Sequence, residues 1–278
     1  GVYDGQFCTV YGLNAYGDKY SGLFGQVGAT SGGRNAGIYN LIIKYGTSCS
    51  ASGVTGGTAA ILMNGANVDC CSVIGDLTGG SGVGGLVGVV RKSASLTNSY
   101  HNGNLSGNSK VGGIVGYVES GTAKIENCYH TSGLIYATEN SGAIVGYSKG
   151  TANIINCFYL NGTCEGAING HDSSGTLSVN SMVLQNLSVT LGSAYIDNFT
   201  NYNDGYPIFA KQFEIDRPIV KGDANADGSF DISDLVMLQN WLLTAGDLTD
   251  WQAADLCEDG RIDVFDLVMM KRLYLGIL

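Results

Sequence analysis

Gly84-Gly-Leu-Val-Gly-Val-Val is written three times in this chain, and its later copies are Gly112-Gly-Ile-Val-Gly-Tyr-Val and Gly142-Ala-Ile-Val-Gly-Tyr-Ser. Each copy is followed by a second phrase: Leu96-Thr-Asn-Ser-Tyr, Ile125-Glu-Asn-Cys-Tyr or Ile154-Ile-Asn-Cys-Phe. Divergent copies precede them near Gly22 and Gly56. The Asn of the second phrase marks a column at spacings of 30, 28, 29 and 29 residues: Asn40, Cys70, Asn98, Asn127 and Asn156. A fixed period of this length indicates a solenoid.

The apolar runs between these markers are short and β-branched, with Gly, Asn and Ser between them. A helical solenoid needs long apolar runs with a 3.6-residue period, and none occurs in this part of the sequence. The pattern therefore predicts a mainly β protein: a parallel β-solenoid of about 29 residues per coil, whose coils stack at roughly 4.8 Å. Repeated glycines permit tight corners and close approach of the coils.

Stacking places equivalent residues in columns. One column is predicted to contain Leu41, Cys71, Ser99, Cys128 and Cys157. We interpret its cysteines as free, buried thiols, although a bond between Cys128 and Cys157 on adjacent coils stays open. The other solenoid cysteines, Cys8, Cys49, Cys70 and Cys164, are not assigned.

Two further columns contain residue types that occur in binding sites. His101 and His130 are 29 residues apart. Together they could ligate a metal, but a repeated surface position is favoured because no third ligand recurs with them. The tyrosines Tyr100, Tyr129, Tyr117 and Tyr147 could stack on sugars, and ladder packing is the favoured interpretation.

The repeated part of the chain resembles the GLUG-repeat family of secreted and surface-attached bacterial proteins. The Gly-Gly-Leu-Val-Gly and Gly-Gly-Ile-Val-Gly phrases support this resemblance, with an opening phrase from Val2 and a closing strand in Asn203-Asp-Gly-Tyr-Pro-Ile-Phe. Since the opening phrase begins at residue 2, we expect that further sequence lies upstream.

The C-terminal part contains a different motif. Asp223-Ala-Asn-Ala-Asp-Gly-Ser-Phe-Asp-Ile-Ser-Asp carries oxygen-bearing side chains at loop positions 1, 3, 5, 9 and 12 and a glycine at position 6. Calcium takes six to eight oxygen ligands, and a twelve-residue loop with this spacing can wrap them around one ion. The predicted ligands of calcium site 1 are Asp223, Asn225, Asp227, Ser229 through its carbonyl, Asp231 through a water, and Asp234.

The motif recurs 32 residues later as Asp255-Leu-Cys-Glu-Asp-Gly-Arg-Ile-Asp-Val-Phe-Asp, and each loop runs into an apolar segment of helical character. The predicted ligands of calcium site 2 are Asp255, Cys257, Asp259, Arg261 through its carbonyl, Asp263 and Asp266. Cys257 stands at position 3, where a thiol is a poor ligand for a hard cation. We therefore predict two calcium ions, with site 2 the weaker.

The two loop–helix units resemble the type I dockerin, a small helical module that attaches secreted proteins to a cohesin on a scaffoldin. In that family, loop positions 10 and 11 and the helix residues five and six beyond the last ligand contact the cohesin. Here the resemblance implies Ile232, Ser233, Gln239 and Asn240 in the first unit and Val264, Phe265, Lys271 and Arg272 in the second. Because the two sets differ, we expect a single binding orientation.

Composition divides the chain where the motifs do. Residues 222–278 hold 11 acidic and 3 basic residues, whereas 38 of the 43 glycines precede residue 222. We predict a solenoid at 1–213, a linker at 214–221 and a dockerin at 222–278. The negative charge argues against nucleic acid as a partner, and no apolar stretch is long enough to span a membrane.

These patterns predict a secreted, extracellular protein whose dockerin attaches an adhesive or spacer solenoid to a cellulosome-type or cell-surface complex. Polysaccharide or a cell surface is a further possible ligand of the solenoid. The alternatives are a carbohydrate-active β-helix enzyme and the stalk of a larger enzyme. An enzyme needs converging carboxylates; Asp69 and Glu126 share a column interrupted by Thr97, and Asp172, Asp197 and Asp204 show no pairing. A non-catalytic role is therefore favoured.

Overall fold

A computed structural model describes residues 1–29, 36–131, 133–171, 173–180, 185–198, 203–212 and 220–277. The chain divides into two compact units, Gly1–Ile215 and Asp216–Leu278. Much of the predicted linker, residues 214–219, lies outside the described residues, so the domain limits stay a prediction. None of the described helices is long and apolar enough to cross a membrane.

The first unit is a parallel β-solenoid of about five coils, as predicted. The first ladder contains five strands, one from each coil: β4 (Phe24–Val27), β7 (Ala59–Met63), β10 (Val87–Arg91), β14 (Val115–Val118) and β18 (Val145–Ser148). Val87 lies in register with Ala59 on one side and Val115 on the other. The copies of the glycine phrase therefore stack directly on one another.

The remaining parallel strands form one 16-stranded sheet that wraps around the other sides of the coils. Strands of the early coils are β1 (Val2–Asp4), β2 (Thr9–Gly17), β3 (Tyr20–Ser21), β5 (Gly37–Ala51), β6 (Val54–Gly56), β8 (Ala66–Ile74) and β9 (Leu77–Gly84). Strands of the later coils are β11 (Ala94–Thr97), β12 (Tyr100–Asn102), β13 (Leu105–Gly112), β15 (Thr122–Glu126), β16 (Tyr129–His130), β17 (Ile135–Gly142), β19 (Thr151–Ile155), β20 (Cys157–Leu160) and β21 (Thr176–Val179).

The repeated asparagine has a backbone reason. All five residues of its column have φ between 46° and 52°, in the left-handed region that Asn tolerates better than most residues. The Asn156 amide nitrogen donates to Asn127 Oδ1 at 2.8 Å, and the Asn127 amide nitrogen donates to Asn98 Oδ1 at 3.1 Å. The column therefore makes a turn in each coil and links three successive coils by side-chain hydrogen bonds.

The cysteine column lies in the main core. Cys71, Cys128 and Cys157 are all buried and free, which confirms the interpretation as thiols. Their sulfur atoms donate weakly to carbonyl oxygens of the same or the preceding coil. Burial raises the pKa of the Cys71 and Cys128 thiols, so these side chains act as small apolar core residues.

A second apolar cluster lies on the flank of the solenoid. The stacked rings of Tyr100 and Tyr129, with centroids 4.8 Å apart, pack against Tyr195 and Phe209 of a following segment. That segment contains the helix α1 (Ser188–Leu191) and an antiparallel pair, β22 (Tyr195–Ile196) and β23 (Ile208–Phe209). The predicted ladder packing of these tyrosines is confirmed, and the predicted closing strand includes β23.

Candidate functional site

The C-terminal unit contains three helices, α2 (Ile232–Leu242), α3 (Trp251–Ala254) and α4 (Val264–Tyr274). Its core consists of Ala224, Leu235, Leu238, Ala254, Leu256, Leu267 and Met270. Three pairs in this core are related by the 32-residue offset of the loops, for example Leu235 with Leu267. The duplication seen in the loops therefore extends into the packing of the helices.

The first acidic loop wraps its carboxylates inward. Asp223 is fully buried, and its carboxylate accepts hydrogen bonds from the backbone N–H groups of Asp227 at 3.1 Å and Gly228 at 2.9 Å. Gly228 has φ 92°, a left-handed conformation that an L side chain would strain. Position 1 of the loop is thereby fixed against positions 5 and 6.

The last loop residue also caps the following helix. Asp234 Oδ2 accepts from the Asp231 N–H at 2.8 Å, while the Asp231 carboxylate accepts from the Ser233 N–H at 2.7 Å. Hydrogen bonds from Ser233 lower the pKa of Asp231. Asp234 Oδ1 accepts from the Asn225 N–H at 3.0 Å. Because an ionised carboxylate offers about four lone-pair sites, these backbone bonds leave acceptor capacity for a cation.

The second loop repeats the same hydrogen bonds. Asp255 accepts from Asp259 at 3.2 Å and Gly260 at 2.8 Å, and Asp266 accepts from Cys257 at 3.1 Å and Asp263 at 2.9 Å. The pKa of Asp266 is lowered, because these hydrogen bonds outweigh the raising effect of its burial. The backbone of both loops is therefore arranged alike, and their difference lies in the donor atoms.

The donor atoms of the first loop fit calcium, since its side chains at the ligand positions present oxygen. In the second loop the Cys257 sulfur lies 3.6 Å from Asp255 Oδ1. A hydrogen bond to the Asp266 carboxylate raises the pKa of the Cys257 thiol to about 12, so the protonated thiol persists at neutral pH. A thiol at this position fits a hard cation poorly.

The eight residues implied as cohesin contacts are all exposed. Each helix also presents apolar side chains between and beyond them, which sequence reasoning missed: Val236 and Leu243 follow α2, and Val268 and Leu275 follow α4. Val236 is 52% exposed and Val268 is 47% exposed. Their signal in the sequence is the spacing of four residues from Ile232 and Val264, which places them on the same helix face. We call these two faces the α2 stripe and the α4 stripe.

A solenoid bearing a duplicated acidic loop–helix module defines a secreted-type protein with a calcium-dependent docking unit. Residues 221–275 match the family model described as Dockerin type I domain. The chain therefore carries a type I dockerin domain C-terminal to a β-solenoid. Type I dockerins bind calcium and attach their proteins to cohesins in cellulosome-type assemblies. No curated protein and no solved structure matches the chain.

The histidine column is buried, so the prediction of a surface position was wrong. His101 and His130 are fully buried with stacked rings, and their Nδ1 atoms lie 3.1 Å apart. The repeated glycines make room for these rings, because a Cβ at Gly113 would lie 2.8 Å from His130 Cγ. His101 Nε2 lies 3.1 Å from the Gly75 carbonyl oxygen and donates to it. A neutral His101 then accepts at Nδ1 from His130.

This pair gives an expected pH dependence. Burial lowers the pKa of His101 from 6.5 to about 4 and also lowers the pKa of His130. Between these pH values the unfolded chain binds more protons, so the stability from this pair is complete above about pH 6.5 and lost as pH falls towards 4. In thermal unfolding followed across this range, we expect the midpoint of a His101→Val/His130→Val variant to fall less than that of the wild type.

His171→Val is the matched control, because His171 is exposed and its removal is expected to leave the wild-type pH dependence. Equal slopes for the buried double variant and the wild type would contradict the assignment.

The carboxylates considered for an enzyme serve local hydrogen bonds. Asp69 Oδ1 accepts from Thr97 at 2.6 Å, Asp197 accepts from the Ser188 N–H at 3.2 Å, and Asp204 accepts from Asn102 at 3.0 Å. Asp172 lies outside the described residues. Across the described ranges, the one group of three metal-ligating side chains is that of Asp255, Cys257 and Asp259 in the second loop.

Proposed function

We propose that the calcium-loaded dockerin of this chain binds a cohesin and thereby anchors the β-solenoid to a cohesin-bearing scaffoldin or cell-surface complex. The observation that carries this proposal is the pair of matched loops, each of which starts a helix with an exposed apolar stripe. In each half, an acidic residue at loop position 12 accepts the hydrogen bond that caps the helix. Cation binding and orientation of the stripe are thus coupled through one side chain.

We propose that Asp223, Asn225, Asp227, Asp231 and Asp234, with the Ser229 carbonyl, form calcium site 1. The corresponding second site contains Asp255, Cys257, Asp259, Asp263 and Asp266, with the Arg261 carbonyl, and binds calcium more weakly. The experiment is capture of the chain by immobilised type I cohesins in calcium and in excess chelator. Capture in calcium that the chelator abolishes supports the proposal, while capture by no cohesin, or capture that the chelator leaves unchanged, contradicts it.

We further propose that the α4 stripe makes the dominant contact. It combines exposed Phe265, which is 68% exposed, with Lys271 and Arg272, and interface hot spots are enriched in aromatic residues and Arg. In the first half the corresponding Ser233 hydroxyl is engaged within its own loop, donating to Asp231 at 2.6 Å. The two halves therefore offer chemically different surfaces to a partner.

Replacement of Phe265 by Ala is expected to weaken cohesin binding by about tenfold or more, because a buried aromatic anchor contributes more than 1–2 kcal/mol to an interface. Ser233→Ala at the equivalent position is the matched control and is expected to change the affinity by less than about threefold. Calorimetry with a purified cohesin measures both. Equal losses for the two variants would show that both halves bind interchangeably.

For the solenoid we propose a spacer or adhesion role. Its stacked coils form one continuous apolar core, and the carboxylates Asp69, Asp197 and Asp204 are engaged in structural hydrogen bonds. Assays on a panel of plant polysaccharides test the role. Activity that is lost when one of these carboxylates is replaced would contradict it.

A further inference from the structure

The second loop differs from the first by one donor atom, which changes its metal chemistry. Calcium is a hard cation that takes oxygen ligands. Thiolate sulfur suits softer cations such as Zn²⁺. Since Cys257 stands where the first loop has Asn225, the donor set of the second loop disagrees with the calcium preference that the family implies.

The positions of the donors suit a small tetrahedral ion. Ligand atoms of Asp255, Cys257 and Asp259 all lie within 4.8 Å of one another. The Cys257 sulfur is 3.6 Å from Asp255 Oδ1. Zn–S and Zn–O bonds of about 2.3 and 2.0 Å, at tetrahedral angles, separate sulfur and oxygen by about 3.5 Å. The observed separation therefore matches one edge of a zinc coordination tetrahedron.

Access to the loop is open, and its frame is already folded. Cys257 and Asp259 are exposed, while Asp266 is buried beneath them and is fixed by backbone hydrogen bonds from Cys257 and Asp263. A cation can therefore enter from solvent without opening the core. The exposed side chains can then close by the small distance that coordination requires.

We propose that the second loop of the dockerin binds a thiophilic divalent cation of the zinc class in preference to calcium, through Cys257, Asp255 and Asp259. The two loops then have different cation specificities, with calcium in the first and the softer cation in the second. This inference rests on the proposed function only in that both loops are cation sites.

The experiment uses Co²⁺ as a spectroscopic probe of the full chain and then Zn²⁺ in competition. A cysteine thiolate that ligates Co²⁺ produces a sulfur-to-metal charge-transfer band. We expect this band in the reduced wild-type chain, its persistence in excess calcium, and its displacement by Zn²⁺. The Cys257→Asp variant is expected to lose the band, to bind Zn²⁺ about tenfold or more weakly, and to bind calcium more tightly. Absence of the band from the wild type, or its loss in excess calcium, would overturn the proposal.

Two further variants separate this site from the remainder of the chain. Cys8→Ser removes another exposed thiol and is expected to leave the band unchanged. Asn225→Cys places sulfur at position 3 of the first loop and is expected to add a second band. Cohesin capture in calcium alone, measured on the same preparations, is independent of the band. Capture without a band contradicts the inference and leaves the docking proposal standing, whereas a band without capture does the reverse.

Discussion

Asp223→Ala is expected to abolish calcium-dependent capture by cohesin, with an affinity loss of at least about 100-fold. The fully buried Asp223 carboxylate combines two functions, since it supplies position 1 of the calcium loop and accepts backbone hydrogen bonds from Asp227 and Gly228. Its removal deletes a charged ligand and leaves two backbone donors without their acceptor. The loop then loses both its ion and the arrangement that starts α2.

Two measurements check this expectation: calorimetric titration with calcium and surface capture by a cohesin. Asp247→Ala is the matched control, because it removes the same charge from an exposed residue outside both loops. That variant is expected to bind as the wild type does. If Asp223→Ala retained full capture that a chelator still abolished, the first loop would not be the calcium site on which docking depends.

Gly113→Ala is expected to destabilise the solenoid by about 3 kcal/mol or more, because overpacking that meets backbone cannot be relieved by a rotamer change. A Cβ at residue 113 would lie 2.0 Å from the Ala143 carbonyl oxygen of the next coil and 2.8 Å from His130 Cγ. Neither atom belongs to a flexible side-chain end. Relief requires that adjacent coils separate, which breaks the hydrogen bonds between them.

Thermal unfolding should show a fall of roughly 10 °C in Tm for this variant. Gly25→Ala is the matched control: a Cβ there meets no atom within 4 Å, and its backbone is not left-handed. We expect that control to lie within about 0.5 kcal/mol of the wild type. Comparable Tm values for Gly113→Ala and Gly25→Ala would show that the coils are not packed as closely as the structure places them.

Much of the fold could be read from local patterns. The 29-residue spacing of Asn98, Asn127 and Asn156 predicts the coil length, and the structure gives the reason in their left-handed backbone and the amide ladder. The spacing within Asp223–Asp234 likewise predicts an inward-facing set of carboxylates. Both are properties of residues near one another in sequence or repeated at one period.

The histidine column shows where such reasoning stops. Periodicity correctly stacks His101 on His130, but it cannot state which side of the sheet faces solvent. The rings are buried because Gly85 and Gly113 of a different strand leave the space that a side chain would fill. That complementarity joins residues about 16 positions apart, and it becomes visible only when both strands are placed.

By itself, the sequence determined the solenoid period, the two acidic loops and the odd thiol at Cys257, because each depends on residue types at short or repeated spacings. Tertiary structure alone decided which columns are buried, how Tyr195 and Phe209 cover the flank, and that Val236 and Val268 extend the exposed stripes. The physical reason is that burial is a property of distant segments brought together. A residue's own neighbours specify its backbone, whereas its exposure depends on what packs against it.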